Sequence, residues 1–137
     1  MHADHPALEV GDPKTADGIP GGSFLRGVLV GRSDRIAQDE KKAETMVRIV
    51  RRTLQWIATH KPEEVVEAAA IDDAEERRHF LSVLRKYPRQ YSVDGHFSTR
   101  QLRETERFFR EAQADNAAAQ ALPVEAMVVD RWAGRKD

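Results

Sequence analysis

At 137 residues, 40% hydrophobic and 33% charged, the chain has the makeup of one soluble globular domain or of a piece of something larger. A formal net charge of −1 gives no global reason to expect nucleic acid or an anionic membrane as partner. The absence of cysteine excludes disulfides, thiolate catalysis and zinc–thiolate sites.

Residues 1–22 have almost no hydrophobic periodicity and close on Gly18, Pro20, Gly21 and Gly22, so an irregular N-terminal segment is expected. The first residues lack the basic and apolar regions of a signal peptide, which places the chain, as written, in the cytoplasm. His2, Asp4 and His5 are loose ligand types on a flexible arm, and no metal site is expected from them.

Residues 23–32, SFLRGVLVGR, read as a strand, with Val28, Leu29 and Val30 as an apolar run buried on both faces. A lone strand is unstable, so its partners are expected in the N-terminal arm, in another chain or in sequence not present here. Ser33 or Asp34 caps a short turn into a long amphipathic helix, 38–60. Its stripe of Ala43, Met46, Val47, Val50, Leu54, Ile57 and Ala58 steps by three and four, marking a buried face.

Pro62, Glu63 and Glu64 restart a helix over 63–70. Asp72 or Asp73 caps the next, ending near Lys86, with Phe80, Leu81, Leu84 and Tyr87 inward. Asp94-Gly95 is a tight reversal. Ser98-Thr99-Arg100-Gln101 opens a helix to about Ala114, with Leu102, Thr105, Phe108, Phe109 and Ala112 inward. Pro123 leads a last helix carrying Val124, Met127, Val128 and Trp132.

No Ser–His–Asp arrangement, phosphate loop or dinucleotide fingerprint occurs, and no catalytic residues or cofactors are expected. The charged clusters around Asp73 and Glu106 read as helix caps and surface pairs. Residues 32–61 carry eight basic and four acidic groups, and Arg48, Arg51 and Arg52 make a basic helix face. Without interleaved exposed aromatics it reads as a solvated surface, not a nucleic-acid track. Trp56 and Trp132, at helical spacing, read as core. The binding candidates are Gly22 and Ser23, whose turn can aim backbone N–H groups at an anion, and Arg26, whose guanidinium can fork onto one.

Taken in order, GVLVGRSDRI before a long helix, TLQWIATHKPEEVVEAAA, YSVDGHFSTRQLRETERFFREAQ and LPVEAMVVDRWA resemble the C-terminal part of ABC-transporter substrate-binding proteins. The class is that of nitrate, sulfonate and taurine binders and of thiamine-pyrimidine-precursor binders, and the likeness covers residues 18–137. It implies a mainly α segment with one or two strands, the C-terminal portion of an α/β type II periplasmic-binding-protein fold: residues 23–137 as a strand plus about five helices. It also implies capture of a small anion or thiamine-pyrimidine precursor, and a permease and ATPase complex as partners. The full-length family protein works in the periplasm, has no membrane insertion and has a second lobe, which this chain has no room for. The chain is therefore expected to be a fragment. The rival expectation is a free-standing helical interaction module.

Overall fold

The computed structural model describes residues 24, 25, 27–88, 91–121 and 123–136. It is mainly helical, and the described chain divides into two compact units. One holds 28–97 and 129–136; the other holds 98–128 with the residues before 28.

In the first unit, α1 (Ser33–Gln38) is followed by a break at Asp39, whose carboxylate accepts the Lys42 N–H at 3.0 Å. That cap starts α2 (Glu40–Thr59), a 20-residue helix about 30 Å long. Its apolar stripe is only half covered: Val47, Val50, Leu54 and Ile57 are half-buried, Ala58 is exposed, and no residue of α2 is fully buried. Met46 and Ile49 stand in solvent. The expected buried face is thus a shallow one: of that stripe, Ile57 is the residue packed against the buried cluster of the next two helices.

His60 leaves the helix in an extended conformation and stacks on Trp56 at 4.1 Å, its Nδ1–H donating to the Trp56 carbonyl at 2.7 Å. Pro62 then opens α3 (Pro62–Ala68), with the Glu64 carboxylate accepting the Lys61 N–H at 2.8 Å. The chain escapes α3 through Ala70 at φ +49°, a left-handed conformation that glycine adopts without steric cost. Ala70→Gly should therefore raise stability by about 1 kcal/mol, relieving the Cβ–carbonyl clash. A lowered midpoint in thermal unfolding would contradict that account.

Asp73 caps α4 (Ala74–Lys86), accepting the N–H groups of Glu75 at 2.9 Å and Glu76 at 2.7 Å. Arg77 reaches back to the Ile71 carbonyl at 2.8 Å and fixes the linker. Val65 and Val66 of α3 close on Leu84 of α4, with Ile57, Phe80 and Leu81 packed around them. This small cluster is the core of the unit. Phe108 and Phe109 belong to the other unit.

After the turn at Gly95 (φ +70°) come β1 (Phe97–Ser98) and β2 (Arg135–Lys136), which pair as a two-stranded ladder. The Phe97 N–H donates to the Gly134 carbonyl at 3.1 Å. These are the only strands among the described residues. The strand expected over 23–32 is absent from residues 24, 25 and 27–32, and Val28, Leu29 and Val30 are 49%, 55% and 82% exposed. β-Branched side chains supply propensity only, whereas a strand is a pairing, and no described segment lies alongside to complete the ladder.

In the second unit, Ser98 caps α5 (Thr99–Ala112) through the Gln101 N–H. Leu102 and Thr105 are buried. The Thr105 hydroxyl donates to the Gln101 carbonyl at 2.7 Å and accepts the Leu25 N–H at 2.8 Å, so both of its capacities are used. Phe24 lies flat on Phe108, ring centres 4.1 Å apart, and Phe109 meets Phe108 edge-on. Asn116 caps α6 (Ala117–Gln120), and Gln120 donates to the Arg110 and Gln113 carbonyls.

The expected last helix is a single 3-10 turn, Val124–Met127, with Val124 buried beside α5. Val128 is already extended, so Trp132 sits in the turn before β2 and not on a helix. Two adjacent β-branched residues, Val128 and Val129, lose side-chain freedom in a helix and favour the extended exit.

Candidate functional site

Gly22, Ser23 and Arg26, the binding candidates read from the sequence, lie outside the described residues, as do His2, Asp4 and His5. Among the described residues no group of three or more His, Asp or Glu side chains is placed to hold a metal ion. The charged clusters around Asp73 and Glu106 are engaged structurally: Asp73 as a helix cap, Arg77 on carbonyls, Glu106 in an ion pair with Arg110 one turn on.

What the structure does assemble, wholly within the first unit, is a basic cleft of about 410 Å³ lined by Glu44, Arg48, Arg51, Arg52, Gln55, Arg131 and Trp132. Helix period makes it. Residues 44, 48, 51, 52 and 55 fall on one face of α2 at three- and four-residue steps. The turn before β2 supplies Arg131 and Trp132 as the opposite wall. Arg131 is held from two sides, ion-paired with Glu40 at 2.7 Å and lying over the Trp132 ring at 4.2 Å.

Arg51 is the fixed member. Its Nε donates to the Asp94 carbonyl at 2.8 Å and Nη1 to the Trp132 carbonyl at 3.4 Å, while Nη2 stands 3.5 Å from Nε2 of His96. That arrangement suits the tautomer with an open Nε2 lone pair and the proton on Nδ1. Nδ1 is buried 3.0 Å from an Asp94 carboxylate oxygen, an ion-pair separation without hydrogen-bond alignment. Asp94 in turn binds Lys136 and accepts the His96 N–H at 3.1 Å.

The Lys136 ammonium, helped by the His96 N–H, holds the Asp94 carboxyl well below the usual carboxylate range against the opposing effect of burial. A depressed folded-state value means a stabilising contribution that is complete above about pH 4 and is lost as acid titrates the folded carboxylate. In acid unfolding, Asp94→Asn should remove that part of the pH dependence. An unchanged acid limb would show that the pair contributes nothing.

Arg48 and Arg52 differ from Arg51. Neither has an ion-pair or hydrogen-bond partner among the described residues, and both are exposed residues of the cleft lining. The two tryptophans expected in the core are not there: Trp56 is 36% exposed and Trp132 is half-buried on the cleft wall. The Arg48–Arg52 face is legible in the sequence, but only as solvated surface. The missing signal was tertiary, since the Arg131-Trp132 pair is about 80 residues away along the chain.

No helix among the described residues is long and apolar enough to cross a membrane. The chain matches no family model, no curated protein and no solved structure.

Proposed function

We propose that the chain is part of a solute-capture protein serving an ABC importer, taking a small anion such as a sulfonate or nitrate, or a thiamine-pyrimidine precursor. The observation that carries this reading is the order of elements. A long amphipathic helix ends in a tryptophan-bearing turn, a proline-led helix follows, and an Asp-Gly reversal precedes a Ser-capped helix with an aromatic stripe. These are two of the four pieces on which the resemblance rests; among the described residues the strand before the long helix is not formed, and the proline-led last helix is only a 3-10 turn. Under this reading the whole protein is an α/β type II binding protein of the periplasm, with a permease and its ATPase as partners. The mainly helical part described here is its C-terminal portion, and the part of the fold that binds lies largely outside it.

Calorimetric titration with sulfonates, nitrate and pyrimidine precursors tests the reading on protein that includes the second lobe. One class should bind saturably, one to one, and Arg26→Ala should weaken it. Heats of dilution alone for all three classes would refute solute capture.

A helical interaction module is the second reading, favoured by the apolar side chains left in solvent on α2 and before it: Val30, Met46 and Ile49. It predicts no small-ligand binding. It also predicts that serine at these positions leaves the fold intact while abolishing association with a protein partner.

A further inference from the structure

We propose that the cleft on α2 is a site for a dianionic tetrahedral oxyanion, a phosphate or sulfate group, bound by Arg48 and Arg52. The inference does not depend on the importer reading. Arg48 and Arg52 are one helical turn apart, which brings their side-chain roots to about 5–6 Å on one face. Two like charges so placed repel each other and weaken the helix, and an anion between them reverses the sign of that interaction.

Charge matching sets the ligand class. Arg131 is matched by Glu40, so the cleft keeps the guanidiniums of Arg48, Arg51 and Arg52 against the single carboxylate of Glu44. That is a formal excess of two. Arg51 is immobilised by two backbone carbonyls and contributes a fixed positive field, not a moving contact. The other two guanidiniums, lacking partners among the described residues, can present planar donor forks to adjacent oxygens of a tetrahedral group. Arg103 and Arg107 also lack ion-pair and hydrogen-bond partners among the described residues, but they do not line this cleft.

A cleft of about 410 Å³ is larger than one oxyanion, so the group can arrive free or as the head of an organic phosphate. Inorganic phosphate and phenyl phosphate separate the two sources. Titrated calorimetrically into the chain at low salt, phosphate should saturate below about 10 mM. Phenyl phosphate binding more tightly than phosphate marks an organic ligand, and equal affinity marks the free ion; either supports the site.

In the Arg48→Gln, Arg52→Gln double variant the dissociation constant should rise at least about tenfold, with circular dichroism unchanged. Arg103→Gln should leave it alone. If the double variant fails to fold, Arg52→Lys, which keeps the charge and loses the fork, should still weaken binding by several-fold. The proposal is overturned if phosphate does not bind wild-type protein, or if Arg103→Gln weakens it as much as the cleft substitutions do. Nitrate, a planar monoanion, should bind at least about tenfold more weakly than phosphate, so its behaviour here is separable from importer-type capture.

Discussion

Leu84→Ala should lower the stability of the first unit by about 3 kcal/mol, within the range for truncating a buried leucine. Leu84 is 5% exposed and sits where α3 and α4 meet, so its loss opens a cavity among Val65, Val66 and the partly covered Ile57, Phe80 and Leu81. The cluster has only three buried members, and among the described residues the unit's one other buried apolar side chain is the small Ala133. Both tryptophans of the chain, Trp56 and Trp132, belong to this unit, so their fluorescence follows its unfolding selectively in denaturant. A change below about 1 kcal/mol would mean that the α3–α4 contact is not what holds the unit.

Arg51→Met should cost about 2–3 kcal/mol, the scale for hydrogen bonds from a charged donor to groups that stay partly buried afterwards. Methionine keeps the aliphatic packing of the stem and removes only the donors. The Asp94 and Trp132 carbonyls then lose a partner, and the turn at Gly95 loses its tie to α2. Arg52→Met, the next residue along and without partners among the described residues, is the control and should stay within about 0.5 kcal/mol. Equal effects from the two would contradict the distinction between a structural and a free guanidinium.

These two residues also show what could be read without coordinates. The stripe around Leu84 was legible, because period and caps are local properties: Asp73, Pro62, Ser98 and Asp94-Gly95 all act where spacing places them. Arg51 was legible only as one more cation on a basic face. Its partners are 43 and 81 residues away, and no local pattern encodes such a pairing. The strand at Val28–Val30 failed for the same reason, since propensity is local and a ladder is not. Trp132 was misplaced because helix period was extended past Val128, where the chain turns extended.

The interruption of the first unit by residues 98–128 has a consequence for synthesis. A nascent chain emerging from the N-terminus makes α2 early, but the Trp132 carbonyl that receives Arg51 is translated 81 residues later. At about 5–20 residues per second, that guanidinium waits roughly 4–16 s for this acceptor, the Asp94 carbonyl arriving sooner, 43 residues on. Asp94 likewise awaits Lys136, 42 residues on. The segment 98–128 can complete its own helices in that interval, so it acquires structure while the unit around it is still open. Closure is then a late event, governed by arrival of the last eight residues of that unit, and a chain halted after Val128 would leave Arg51 without its Trp132 acceptor.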